Sequence, residues 1–120
     1  MDLRIDHDAP TPPYEQVRLR IAELAATGAL PAGAKLPPVR RLATDLGLAA
    51  NTVARAYREL EQAGLVQTRG RAGTVITARA ARTPQEAQEA ARRYAETVKN
   101  LGLPPGQALE LVKAALLPPG

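Results

Sequence analysis

Residues 37–77 carry the pattern that most restricts the fold. Val39, Leu42, Ala43 and Leu46 recur at the spacing of one helix face, and Gly47 stops the run. Leu48-Ala49-Ala50 leads into a second helix beginning near Asn51. There Val53, Ala56, Tyr57 and Leu60 repeat at helical spacing, and Gly64 ends it. Two short helices joined by a tight turn that opens with glycine form a helix-turn-helix. Two runs rich in β-branched residues follow at once, Leu65-Val66-Gln67-Thr68 and Thr74-Val75-Ile76-Thr77. Between them lies Arg69-Gly70-Arg71-Ala72-Gly73, a glycine-bearing loop that reads as the tip of a β-hairpin. A helix-turn-helix followed by a hairpin with arginines at its tip is a winged helix-turn-helix, and the hairpin is the wing.

The flanks extend this plan. Leu3-Arg4-Ile5-Asp6 alternates apolar and polar, as an edge strand or an extended arm would. After a proline-rich break, Thr11 is placed to cap a helix with Pro12 at its first position. Tyr14, Val17, Ile21 and Leu24 form the apolar face of that helix. Gly28 ends it, and Pro31-Ala32-Gly33 makes a loop. Beyond the wing, residues 79–82 read as a linker. Thr83-Pro84-Gln85-Glu86 fits a capping box for a fourth helix. Its inner face is expected at Ala87, Ala91, Tyr94, Val98 and Leu101. A turn at Gly102 and Pro104-Pro105-Gly106 precedes a fifth, strongly apolar helix, which Pro118-Pro119-Gly120 terminates. The expected class is mainly α with a small β-hairpin. The expected units are a winged helix-turn-helix at 1–78, the linker at 79–82 and a two-helix tail at 83–120.

The 120 residues hold 16 Lys+Arg against 12 Asp+Glu, a net charge of +4. All of that excess lies in 39–82, where Arg40, Arg41, Arg55, Arg58, Arg69, Arg71, Arg79 and Arg82 face only Asp45, Glu59 and Glu61. Arginine's planar fork of donors suits phosphates and guanine edges; the bland alternative is a solvated basic face. Cysteine is absent and His7 is the one histidine. That excludes a thiol nucleophile and disulfides, and leaves no metal site and no cofactor to expect. Acidic residues form no evident catalytic pair, so an enzyme is not expected. His7 itself reads as a surface or arm residue. The only aromatics are three tyrosines, too few for a base-stacking platform. Apolar runs fall far short of the roughly 20 residues a spanning helix needs. The start, MDLRIDHDAP, lacks the features of an export signal, so a cytoplasmic location is expected.

The stretch 30–76 resembles the winged helix-turn-helix of GntR-type bacterial transcription regulators. The signposts are PAG-x-x-LP, VRRLA, the LG turn, NTV-x-x-AY-x-x-LE, GLV and G-x-A-GTV. The start, I-D-x-x-x-x-x-P-x-YEQV, is similar to the family's own. The short tail with its L-G-L-x-P joint resembles the YtrA subfamily. The resemblance implies double-stranded DNA as a partner, a tail that pairs two copies, and a gene that often sits beside genes for ATP-driven transporters. It also implies that Arg40 contacts DNA, with Arg41 assisting. Many members have Ser and Arg where this chain has Ala49 and Ala50, and Ser or Thr in place of Pro38.

In the physical reading the third helix enters the major groove with its N-terminal residues facing base edges. Asn51 and Thr52 are best placed to read bases; Asn51 serves equally as a helix cap. Arg55 and Arg58 read as phosphate or groove-edge contacts, with an intrahelical Arg58–Glu61 pair as the alternative for Arg58. Arg69 and Arg71 reach the flanking minor groove or backbone, and Gly70 and Gly73 let the wing approach closely. Tyr57 reads as core.

The tail's apolar surface, from Tyr94, Val98, Leu101, Leu109, Leu111, Val112 and Leu116, exceeds what two helices can bury against each other. A second copy is the expected cover, with packing onto the first unit as the alternative. The expected function is a homodimeric repressor on a pseudo-palindromic operator. An adaptor that binds protein and not specific DNA is the competing reading. Two helices leave little room for a ligand pocket of several hundred cubic ångströms, so an effector would bind between copies or at the joint.

Overall fold

The computed structural model describes residue 1 and residues 3–117. It divides into two compact units, one ending at Thr83 and one beginning at Pro84. The first holds α1 (Pro13–Ala26), α2 (Val39–Leu46), α3 (Ala50–Gln62), β1 (Val66–Thr68) and β2 (Thr74–Ile76), with short 3-10 turns at Gly70–Ala72 and Ala80–Arg82.

The core follows from the apolar periods. Val17 and Ile21 of α1, Val53 and Leu60 of α3, and Ile76 of β2 are fully buried. Burying a side chain of that size stabilises by about 1.5–3 kcal/mol. Leu42 and Ala43 of α2 join the same cluster, as does Leu36. Tyr57 is buried too, and its hydroxyl donates to the Pro37 carbonyl at 2.7 Å. Desolvation raises its phenol pKa well above the ordinary 10.0.

Local chemistry sets the helix ends. Pro12, not Thr11, occupies the cap position of α1, with ψ at 151° and no side-chain cap bond. A residue before proline is pushed out of the α region, and Pro13 follows Pro12, so the helix starts one residue later than expected. Gly47 ends α2 in the left-handed region at φ 68°, which reverses the chain toward α3 within two residues. Gly64 does the same after α3 at φ 77°.

Of the two readings of Leu3-Arg4-Ile5-Asp6 the extended arm holds, with no strand pairing; Leu3 is buried, and Gln16 binds the arm through the Asp6 amide and the Asp6 and Thr11 carbonyls, each at 2.8 Å. Two segments differ from expectation. Residues 33–36, expected as loop, run along the free edge of β2. Gly33 N–H donates to Ile76 O, Ile76 N–H to Ala34 O, and Leu36 N–H to Thr74 O, at 2.8, 2.9 and 2.8 Å. β1 and β2 themselves pair antiparallel, Gln67 opposite Val75. Residues 79–82, expected as a linker, form a 3-10 turn with Ala80 buried in the core. Arg79 Nε donates to the Ala63 carbonyl at 3.2 Å. The turn leads straight into a helix, so Thr83 is already helical and its hydroxyl donates to Ala80 O. No capping box forms there.

The second unit is a pair of helices, α4 (Thr83–Asn100) and α5 (Pro105–Leu116). Val98 and Ala108 are buried, and the Tyr94 hydroxyl donates to Ala108 O at 2.8 Å. The expected inner face of α4 is only partly covered: Ala87 and Ala91 are exposed, and Leu101 is 74% exposed. Pro118-Pro119-Gly120 lies outside the described residues.

Candidate nucleic-acid interface

α3 buries one face and presents the other. Val53, Ala56, Tyr57 and Leu60 turn inward. Asn51, Arg55 and Arg58 are exposed at positions i, i+4 and i+7, a spacing that aligns them along one stripe of the helix. The cap position is Ala49, which makes no side-chain bond. Asn51 lies within the first turn of α3, so it is not the helix cap and its amide is free to face outward. The uncapped first-turn amides also leave this end of α3 receptive to a phosphate.

Asn51, Thr52 and Arg55 line a shallow depression of about 320 Å³, together with Pro13, Tyr14 and Leu48. The Arg55 guanidinium lies over the Tyr14 ring, 3.6 Å from its centroid. Its Nε is 3.8 Å from Glu59 Oε2, an ion pair too long to be a hydrogen bond. Arg58 does not pair with Glu61. Glu61 accepts the Thr68 hydroxyl at 2.7 Å, which ties β1 to the last turns of α3.

Arg40 and Arg41 are exposed in the first turn of α2. On the wing, Arg69, Gly70, Arg71 and Gly73 are all exposed. Gly70 and Gly73 hold φ of 52° and 80°, the left-handed region that favours glycine. The Arg69 amide donates to Gly73 O at 2.8 Å and closes the tip, while its Nε donates to Gln67 Oε1 at 3.3 Å. Arg71 therefore projects from a short, backbone-locked turn. Two contributors lie outside the residues expected at the interface. Tyr14 is expected on the core face of α1, and its half-buried ring instead meets an arginine of another helix in a cation–π contact. Glu59 gave no signal beyond its i+4 spacing from Arg55.

In the second unit, Tyr94 and Val98 are engaged between α4 and α5. Leu101, Leu109, Leu111, Leu116 and Leu117 are each more than half exposed, and Val112 is 36% exposed. Among the described residues no group of His, Cys, Asp and Glu could hold a metal ion, and His7 is exposed. No helix there is long and apolar enough to cross a membrane.

A helix-turn-helix with an outward-facing third helix, followed by an arginine-tipped hairpin, defines a winged helix-turn-helix DNA-binding protein. The family model for bacterial regulatory proteins of the gntR family matches residues 13–76, and the chain belongs to that family. It is a transcription regulator and not an enzyme. The chain is 48% identical over 107 residues to the HTH-type transcriptional regulator Rv1152 of Mycobacterium tuberculosis, covering 89% of this chain and 88% of that one. It is 45% identical over 82 residues to the HTH-type transcriptional repressor YtrA of Bacillus subtilis, covering 68% of this chain and 62% of that one. Its fold matches the solved structure of YtrA from Sulfolobus acidocaldarius, a GntR-family transcription factor. That match has a TM-score of 0.61 and 32% identity, over 78% of this chain and 97% of that one.

Proposed function

We propose that this regulator is a repressor that binds a pseudo-palindromic operator as a homodimer, one α3 per half-site. The observation that carries the reading is the uncapped start of α3. It presents Asn51 and Thr52 outward, with Arg55 and Arg58 along the same helix and Arg40 and Arg41 in the first turn of α2. Asn51 suits the paired donor and acceptor of an adenine edge, and Thr52 a base edge, a thymine methyl or a phosphate. Arg40, Arg41, Arg58 and the wing residues Arg69 and Arg71 hold the backbone, with Gly70 and Gly73 allowing close approach. Ala49 and Ala50 offer no polar contact, which concentrates base reading on Asn51, Thr52 and Arg55.

The homodimer reading draws on the apolar surface of the second unit. Leu109, Leu111, Val112 and Leu116 of α5, and Leu101 just past the end of α4, are apolar and outward-facing, and exposed apolar surface on that scale marks an interaction site. Tyr94 and Val98 support it from beneath. Residues 1–78 read DNA and 84 onward pair the readers, acting in the cytoplasm where the chromosome lies. The name of the Bacillus subtilis relative supports repression, and the YtrA resemblance suggests a transporter operon as the target.

Duplex titration at two salt concentrations tests the DNA contact. A protein that neutralises several phosphates per half-site loses about 10³–10⁵ in affinity between about 50 and 200 mM salt when it makes six to ten such contacts. An affinity for duplex DNA that barely moves over that range contradicts the proposal and favours the protein-binding adaptor.

A further inference from the structure

Arg55 is held on two sides by its own chain. Tyr14, from the first turn of α1, covers one face of the guanidinium, with the ring centroid 3.6 Å from its central carbon. Glu59, one turn further along α3, lies 3.8 Å from the Nε edge. The Glu59 Oε2 atom is buried and accepts no hydrogen bond among the described residues, and it is this atom that faces Arg55 Nε. Between ring and carboxylate, the side chain remains 54% exposed. No hydrogen bond among the described residues takes its two Nη groups. Arg55 borders the depression that Asn51 and Thr52 also line.

We propose that Tyr14 is a positioning residue for DNA reading: its ring holds the Arg55 guanidinium so that its free Nη edge meets an acceptor pair on DNA beside the bases faced by Asn51 and Thr52. The inference rests on the proposed reading of α3 as the groove helix. A guanine edge and a backbone phosphate both present such an acceptor pair. A long arginine side chain loses rotamer freedom when it is fixed on DNA. Stacking it beforehand removes part of that cost from the binding step. An aromatic ring is required because the attraction comes from the negative face of its π system; the hydroxyl is not.

The test uses a duplex enriched from random DNA by the wild-type protein, and a scrambled duplex of equal composition. Affinities are measured for wild type, Tyr14→Leu, Tyr14→Phe, Arg55→Ala, Arg55→Lys and the Tyr14→Leu/Arg55→Ala double variant, with thermal melts alongside. Tyr14→Leu is expected to bind the enriched duplex about three- to tenfold more weakly, the range of a partly exposed cation–π contact. Tyr14→Phe should match wild type, and the double variant should bind no worse than Arg55→Ala alone. A loss that depends on one guanine position assigns the guanine edge. An equal loss on both duplexes with a flatter salt slope assigns the phosphate. Either pattern supports positioning. The inference is overturned if Tyr14→Leu binds as wild type, if Tyr14→Phe loses as much, or if Tyr14→Leu costs as much without Arg55. Should Tyr14→Leu fail to fold, Arg55→Lys decides: it keeps the charge without the planar face, so binding equal to wild type overturns positioning and a loss near that of Arg55→Ala supports it. A wild-type protein that binds enriched and scrambled duplexes alike removes the proposed function, and this inference with it.

Discussion

Asn51 and Tyr57 sit on different faces of α3 and do opposite work. Asn51 is exposed within the first turn, with Ala49 in the cap position. Asn51→Ala should therefore leave the melting temperature unchanged and flatten base preference at one position per half-site. The expected size is about 1–3 kcal/mol of lost discrimination, read from binding to single-base operator variants. A drop in melting temperature with base preference retained would mean that Asn51 acts on the helix and not on DNA. Tyr57 is buried and donates to Pro37 O, on the loop leading into α2. Tyr57→Phe leaves that carbonyl without its donor and should cost about 1–3 kcal/mol in urea unfolding near neutral pH. The phenol pKa is raised in the folded state by desolvation. The stability it contributes is thus complete below the unfolded pKa of about 10 and is lost as pH rises above that, by about 1.4 kcal/mol per unit. The gap between wild type and Tyr57→Phe should close in alkali; a gap that stays constant to about pH 11 would contradict the buried, neutral phenol.

The turn between α2 and α3 shows what was legible in the sequence and why. Gly47 stops one apolar period just before another begins, and only a left-handed residue can reverse the chain that tightly. A Cβ at Gly47 would meet nothing within 4 Å, so its requirement is conformational and not steric crowding. Gly47→Ala should cost about 1–2 kcal/mol in equilibrium unfolding, and Gly47→Asn less. Equal stability of the alanine variant would contradict the left-handed turn. The wing was legible for the same reason, since β-branched runs bracket glycines at the tip. The edge at 33–36 was not, because Pro31, Gly33 and Pro37 mark that stretch as loop, and its pairing depends on β2 arriving from far along the chain. The turn at 79–82 reads as a linker because Arg79 and Arg82 dominate it, while its place in the core rests on one small side chain, Ala80. The contact of Tyr14 with Arg55 joins residues 41 positions apart, beyond the reach of any local period.

At the scale of the molecule, charge and apolar surface are divided between the two units. The arginine excess lies in 39–82, and the exposed leucines gather in the second unit, where the charges balance. In the proposed dimer each reader takes one half-site, so the discrimination of two readers combines. The most direct measurement is enrichment of duplexes from a random pool, run with wild type and with the Leu109→Glu/Leu116→Glu variant. Wild type should enrich an inverted repeat whose half-sites lie about one helical turn, or a multiple of it, apart. The variant should sediment as a monomer and enrich at most one unrepeated half-site. A single unrepeated motif from the wild-type protein, or the same inverted repeat from a monomeric variant, would contradict a dimer that reads two half-sites.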